Sequence, residues 1–460
     1  MILLLACYEL GHQPLSLAWP LACLRQARLD ATPLDLSVQQ FDDTLAAQAT
    51  FVGIAAPMHT ALRLGIEAAR RVRALNPRAH ICFFGLYAWL NQDYLLTEIA
   101  DTIIGGEYEK PLVELISAIR SGSRLPAQID SVSTVSHCAL PALNRLSLPV
   151  PHRSALPSLS QYARFRRPTS PDVGQLSGYV EASRGCLHTC HHCPIVPVYN
   201  GRFFVVPLET ILADIRQQVE SGAQHITFGD PDFLNGPKHS LNIARNLHKE
   251  FRHVTFNFTT KVEHILKHRD LFSEFAALGC AFVVSAIESL SDLVLQKLDK
   301  GHTAADVATA LGILDSAGIP LQPTLVAFTP WTTLADYVRQ IDWIHERGLV
   351  EHIPPIQLSI RLLVPPRSAL LTQPDTEQWL GPLNPEFFTH RWSHTDPRMD
   401  TLQARVSDLV EEAERTDESG IVTHSKIRAL AYAIVGAPIP PLAHTHTRPH
   451  PPRLTENWFC

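Results

Sequence analysis

Three closely spaced cysteines constrain this chain more than any other feature. In residues 181–194, EASRGCLHTCHHCP, Cys186, Cys190 and Cys193 stand in a C-x3-C-x2-C spacing, directly after a strand-like run at 177–182. Iron–sulfur clusters are held by Cys thiolates, and a cubane has four irons to ligate. Three cysteines therefore leave one iron open to a small molecule. The competing reading is a tetrahedral Cys3His zinc knuckle using His188, His191 or His192. Zinc sites usually draw ligands from two hairpins or a distant pair, and the chain has no second C-x2-C. The spacing favours the cluster.

At 460 residues the chain is too long for one ordinary core, so two or three domains are expected. A net charge of −6 argues against a broad nucleic-acid footprint. Nine cysteines, clustered in one place only, do not read as a disulfide framework. Cys7, Cys23, Cys82, Cys138 and Cys280 have apolar neighbours and read as small core residues. The start, MILLLACYEL, lacks a basic n-region and meets Glu9 after a short apolar run, so it reads as a buried strand and not a signal peptide. No apolar run reaches the roughly 18 residues of a membrane helix. The expectation is a soluble cytoplasmic protein with no membrane partner, a setting that suits an oxygen-sensitive cluster.

Residues 1–125 alternate apolar runs (2–6, 31–37, 51–55, 80–84, 102–104) with helical patterns (15–27, 60–75, 90–100). That alternation gives a doubly wound, flavodoxin- or Rossmann-like parallel sheet. Ligands of such folds bind beyond the carboxyl ends of the strands, here residues 7–14, 56–60, 85–88 and 105–109. Residues 126–176 are punctuated by Pro141, Pro149, Pro151, Pro157, Pro168 and Pro171 and read as a surface linker. Residues 177–368 repeat strand then helix about six times, with strands at 178–182, 225–228, 254–258, 281–285, 320–327 and 356–363. Six such units suggest a partial (β/α)6 barrel of TIM type, with its site at the C-terminal ends of the strands. Residues 369–436 hold a helical extension, with helices at 399–415 and 424–435. Residues 437–460 form a Pro- and His-rich tail ending in Cys460. His444, His446 and His450 are candidate metal ligands there, against the plainer reading of an extended, mobile segment.

The cysteine loop resembles the cluster loop of the radical S-adenosylmethionine (SAM) enzymes; Arg184-Gly185 before it and Pro194 within it also match. The resemblance implies a [4Fe–4S] cluster on Cys186, Cys190 and Cys193 whose open iron chelates SAM. It further implies reductive SAM cleavage to a carbon radical, a small-molecule substrate, and an electron donor such as flavodoxin or ferredoxin. Gly229 and Asp230 match the loop that holds the SAM amino group, with Asp232 as substitute or support. Thr259 ends the third strand, within reach of the SAM carboxylate or the substrate. Ser285-Ala286-Ile287-Glu288-Ser289 resembles the family's G-I-E-S segment near the ribose, and a carboxylate at Glu288 can take two donors from a diol. Lys297–Gly301 resembles the K-x-x-x-K/R-G stretch that follows, and 328–333 a degenerate G-x-P-x-x-T loop. Arg361 is either a partner for the SAM carboxylate or an anionic substrate, or an outward barrel charge.

Residues 1–125 resemble the cobalamin-binding domain fused to many radical SAM enzymes, with 105–109, GGEYE, matching its final loop. The D-x-H-x-x-G cobalt-ligand loop is absent; residues 9–14 read ELGHQP. His12 and His59 are the candidate ligands, and cobalamin is the candidate third cofactor. The ending, ENWFC, resembles a radical SAM (seleno)protein group, the CUAEP/CCAEP-tail group, whose members continue past this Cys with Cys or selenocysteine and then Ala-Glu-Pro. That makes Cys460 a possible tail thiol and the record a candidate for truncation at a recoded stop. Two other functions stand beside the main one: a transfer-RNA methylthiotransferase, whose relatives carry a further N-terminal cluster domain, and a zinc-stabilised binding protein.

Overall fold

The computed structural model describes residues 1–123, 125–144, 147–168, 170–441, 448 and 450–456, with backbone only for 170–173. Cys460, His444 and His446 lie outside the described residues.

The chain starts with the sheet that its apolar runs require. Strands β1 (Ile2–Ala6), β2 (Ala31–Asp35), β3 (Phe51–Ala55), β4 (His80–Phe84) and β5 (Thr102–Ile104) pair in parallel in the order β2-β1-β3-β4-β5. Every residue of β1 and β3 is buried, as expected of parallel strands covered by helices on both faces. A short β6 (Val132–Ser133) adds antiparallel to β5, so the segment read as a linker begins inside the first sheet.

The second sheet contains β7 (Arg164–Arg167), β8 (Ser170–Val180), then after the hairpin β9 (Ser183–Gly185) and β10 (Phe203–Val205) the strands β11 (His225–Phe228), β12 (Thr255–Thr259), β13 (Cys280–Glu288) and β14 (Leu321–Leu325). Its order is β14-β13-β12-β11-β8-β7-β17, where β17 is Arg453–Leu454. Strands β8 and β11–β14 are parallel; β7 and β17 are antiparallel additions. This is a half-barrel with helices between its parallel strands. A separate hairpin, β15 (Leu380–Asn384) and β16 (Thr389–Trp392), precedes the helices Pro397–Arg415 and Gly420–Val435.

Three expectations need correction. The sixth barrel strand at 356–363 is reduced to a 3-10 turn, Pro355–Leu358, and a single bridge, Phe328 to Arg361. Pro354 and Pro355 lack the N–H groups that a ladder needs. The edge of β14 is instead satisfied by a side chain, Leu325 N–H donating to Gln357 Oε1 at 2.7 Å. Cys138 is exposed, not a core residue. And the tail returns to the barrel: Arg448 pairs with Asp315, His450 with Glu351 at 2.9 Å, and β17 pairs with β7.

That return closes the half-barrel. Leu454 packs with Phe165, Phe282 and Val284, and Tyr8 Oη donates to Glu456 Oε1 at 2.6 Å. The space left between His12, Tyr179, Asn257, Gln322 and Leu454 is about 30 Å³, room for one water-sized group. Leu454→Ala should therefore lower unfolding free energy by about 2 kcal/mol, the low end for a buried leucine because its cluster sits at a sheet edge. Urea denaturation checks this, and an unchanged midpoint would mean that the tail strand does not hold the barrel.

Candidate active site

The cysteine loop is fixed from below by its own backbone. Gly185 sits at φ +75°, and a Cβ there would stand 2.3 Å from Arg202 O, so only glycine allows the chain to enter Cys186. Cys186 N–H then donates to Arg202 O at 3.1 Å, Cys193 N–H to Cys190 O at 3.0 Å, and His191 N–H to Leu298 O at 3.0 Å. Cys186 and Cys190 are buried, and Cys193 is half-buried. Burial, helped by the neighbouring Cys190 and Cys186, pushes the Cys193 thiol up to about 12. Metal binding displaces thiol protons, so a cluster held here would be held by thiolates.

The loop's histidines do not complete a zinc tetrahedron. His191 Nδ1 lies 2.9 Å from Lys297 O, His192 Nε2 lies 3.3 Å from Glu288 Oε1, and His188 faces Asp232 and Glu263. His188 Nε2 and His192 Nδ1 have no hydrogen-bond partner among the described residues, and no histidine is grouped with the thiols. The candidate donor set is the three cysteine side chains.

Asp230 is tied into the fold through both of its oxygens. Its two oxygens accept from Ala182 N–H at 2.9 Å and Ser183 Oγ at 2.5 Å, pinning the corner between β8 and the cysteine loop. Burial still raises its carboxyl to about 6. Gly229 is required for a different reason: a Cβ would stand 2.0 Å from Tyr179 Oη. Thr259 shares the inner face of β12 with Asn257, and its buried Oγ1 has no hydrogen-bond partner among the described residues. Thr324 on β14, which the sequence reading missed, offers a second such hydroxyl above Gln322. Only strand pairing reveals it, because nothing in the local sequence marks it.

Ser285 lies on the opposite face of β13, with Val283 and Ile287, against the helix layer. Its side chain is therefore not at the mouth. Glu288 is there, at φ +59° just past a bulge. Its Oε1 accepts from Lys300 Nζ at 3.0 Å, and Oε2 is buried without a partner among the described residues. Against the cost of burial, Lys300 and His192 hold its carboxyl down at about 2. Arg361 resolves to a fastening: it donates to Asp400 Oδ1 at 2.7 Å and Trp392 O at 2.5 Å, and stacks on Trp392 at 3.5 Å.

The first domain's loops close on the same mouth. Arg184, next to the cysteines, donates to Glu107 Oε2 at 3.1 Å and Glu109 Oε1 at 2.6 Å, reaches Glu181 at 3.3 Å, and lies 4.3 Å over Trp19. Tyr199 Oη donates to Glu107 Oε1 at 2.7 Å. The GGEYE loop is thus clamped to the base of the cysteine loop. His12 is buried and stacked on Tyr179 at 4.5 Å, and His59 Nε2 lies 2.6 Å from Phe387 O. His59 is thereby engaged, while the buried Nδ1 of His12 has no hydrogen-bond partner among the described residues.

Glu181 ends β8 beside this clamp, and burial lifts its carboxyl to about 7, with Arg184 pulling the other way. Its folded value exceeds the ordinary 4.5, so its contribution to stability falls as pH rises from about 4.5 to 7. Glu181→Gln should accordingly be neutral near pH about 5 and stabilising near pH about 8. Urea unfolding at both pH values reads this out; a variant equally affected at both would contradict the sign.

Residues 180–340 match the Radical SAM superfamily. Over 152 residues the chain is 25% identical to the hopanoid C-3 methylase of Methylococcus capsulatus, covering 33% of this chain and 29% of that protein. Over 207 residues it is 28% identical to the tRNA-2-methylthio-N(6)-dimethylallyladenosine synthase of Desulfosudis oleivorans, covering 43% and 44%. The chain thus spans less than half the length of these two curated relatives. In structure it is similar to the cobalamin-dependent SAM radical enzyme OxsB with aqua-cobalamin and SAM bound: TM-score 0.73, 14% identity, covering 94% of this chain and 72% of that one. TsrM of Kitasatospora setae, a radical SAM methyltransferase with cobalamin and a [4Fe–4S] cluster bound, follows at TM-score 0.57 and 18% identity, covering 75% and 70%. At such identities the likeness shows a shared fold: a doubly wound α/β domain ahead of a half-barrel. Among the described residues no helix is long and apolar enough to cross a membrane. The chain carries a radical SAM domain at residues 180–340, an enzyme domain that implies a [4Fe–4S] cluster and SAM as cofactors.

Proposed function

We propose that this protein is a radical SAM enzyme that acts on a small molecule, with group transfer to carbon as its reaction class. The observation that carries the reading is the three-thiol set, Cys186, Cys190 and Cys193, with His191 and His192 bonded to Lys297 O and Glu288 and His188 grouped with Asp232 and His264. That donor set fits a cubane with one open iron. When bound, the cluster supplies one electron to the SAM sulfonium, whose cleavage yields a carbon radical.

The chain's own residues do the holding and the covering. The buried, unpartnered Oε2 of Glu288 supports its reading as the acceptor for a ribose diol, with Lys300 and His192 favouring its ionised form. The hydroxyls of Thr259 and Thr324 offer the polar ends of SAM or the substrate a partner at the inner wall. Asp230 keeps the cysteine loop at the strand ends. The β17 strand and the Tyr8–Glu456 bond cover this side of the barrel. The fold shared with cobalamin enzymes supports cobalamin as a third cofactor. Of the two candidate ligands, His59 is bonded to Phe387 O, whereas His12 packs on Tyr179 with its buried Nδ1 unpartnered among the described residues, which leaves His12 as the candidate.

Reduced protein incubated anaerobically with SAM should release a SAM-derived nucleoside or methylated product detectable by mass spectrometry. A fully loaded cluster with intact SAM after many hours would sink the proposal. The curated methylthiotransferase of Desulfosudis oleivorans is matched over 44% of its own length, and no separate feature here favours its reaction.

A further inference from the structure

Outside the thiol set, one group of side chains has the composition of a second metal centre. His188 stands in the cysteine loop, Asp232 in the loop after β11, and His264 on the helix Val262–Lys267 after β12. Their donor atoms all lie within 4.8 Å of one another. His264 Nδ1 is 2.9 Å and His188 Nε2 3.8 Å from the same oxygen, Asp232 Oδ2. Asp232 is fully buried, and His264 is 5% exposed. Neither imidazole nitrogen forms a hydrogen bond of acceptable geometry among the described residues, despite the short approach of His264. Two imidazole nitrogens converging on one carboxylate oxygen is an awkward hydrogen-bond arrangement. For three ligands around a shared cation it is a natural one.

The surroundings support the ligand reading. Asp232 Oδ1 accepts from Leu234 N–H at 3.0 Å and Thr260 Oγ1 at 2.8 Å, which orients the carboxylate and leaves Oδ2 facing the imidazoles. Lys261 N–H adds a longer bond to Oδ2 at 3.3 Å. The second nitrogen of His188 faces Glu263 Oε2 at 3.7 Å, the carboxylate-behind-histidine arrangement common at metal sites. The other charge nearby, Lys261 Nζ, is paired with Glu263 at 3.3 Å. Two histidines and one carboxylate leave coordination positions open and suit divalent iron, zinc or cobalt.

We propose that His188, Asp232 and His264 hold a divalent first-row transition-metal ion beside the cysteine loop, with open positions for water or a substrate oxygen. The site does not use the cysteines, so it stands or falls separately from the cluster.

The test uses the full chain, anaerobically reconstituted, with the cluster in its oxidised, paramagnetically silent state. Cobalt(II) alone is added, excess is removed by gel filtration, and retained metal is read by mass spectrometry and high-spin cobalt EPR. The expected result is one retained cobalt per chain beyond the cluster iron. Binding should weaken at least about tenfold in both His264→Gln and His188→Gln with cluster iron unchanged, since even a ligand's supporting residues are worth that much. Should His264→Gln fail to fold, the partly exposed His188→Gln decides alone. No retained cobalt, or equal retention in the histidine variants, would overturn the proposal. So would cobalt that shows thiolate charge-transfer absorption and is lost in Cys190→Ala but kept in His264→Gln, because that metal sits on the cysteines.

Discussion

Cys190→Ala is expected to lose the iron–sulfur absorption and all SAM cleavage, a drop to background and not a graded decline. Cys190 is buried at the centre of the loop, with Cys186 and Cys193 on either side. Two thiolates cannot hold a cubane with one open iron. Of the loop histidines, His191 and His192 are bonded to Lys297 O and Glu288, and His188 is grouped with Asp232 and His264 and not with the thiols. The fold should survive, since the loop is anchored by Gly185, Asp230 and the His191–Leu298 bond, none of which involves the thiol. Circular dichroism close to wild type with iron content at background is the predicted pair of readings. Retained cleavage in this variant would refute the ligand assignment.

The second large effect is expected far from any cofactor chemistry. Arg184→Ala removes one cation from among Glu107, Glu109 and Glu181, all within 3.3 Å of its guanidinium. Deleting one partner of a buried ionic cluster leaves uncompensated charge and costs roughly 3–5 kcal/mol. The lost stacking on Trp19 adds to this. Burial already raises the Glu107 carboxyl while Arg184 lowers it, so without the arginine it rises further. The folded variant then binds more protons than the unfolded chain, and its deficit grows as pH rises. Thermal or urea unfolding should show a smaller deficit near pH about 6 than near pH about 8. Because the clamp joins the GGEYE loop to the cysteine loop, limited proteolysis of the variant should cut between the first sheet and the barrel. An Arg184→Ala protein as stable as wild type would show that the clamp does not hold the halves together.

How much of this was readable in advance depends on where each residue's partner lies. The first sheet's β1, β3, β4 and β5 begin and end where their apolar runs do, because a strand covered on both faces needs only a continuous hydrophobic stretch. The barrel strands β11 to β14 fall within a few residues of expectation for the same reason. The sixth strand misled because Ile356, Leu358 and Leu362 look like strand residues. Pro354-Pro355 and the side chain of Gln357 satisfy that edge instead.

At the site, the cysteines carry their meaning in their spacing, and Glu288 in its neighbours. Asp230 and Arg361 carry none locally. One is consumed by Ala182 and Ser183, the other by Asp400 and Trp392, partners 31 or more residues away in sequence. Ser285 was displaced by alternation alone: one step along β13 turns a side chain from the lumen to the helices. The tail's Pro and His content suggested an extended segment. Its pairing with β7 depends on an edge that exists only once the barrel has formed.

The central claim is that Cys186, Cys190 and Cys193 hold a [4Fe–4S] cluster whose open iron meets SAM. EPR of the reduced, reconstituted protein with and without SAM tests it most directly. The account predicts a reduced-cluster signal whose g values shift when SAM is added. A protein that takes up only zinc, or a cluster signal indifferent to SAM, would contradict it.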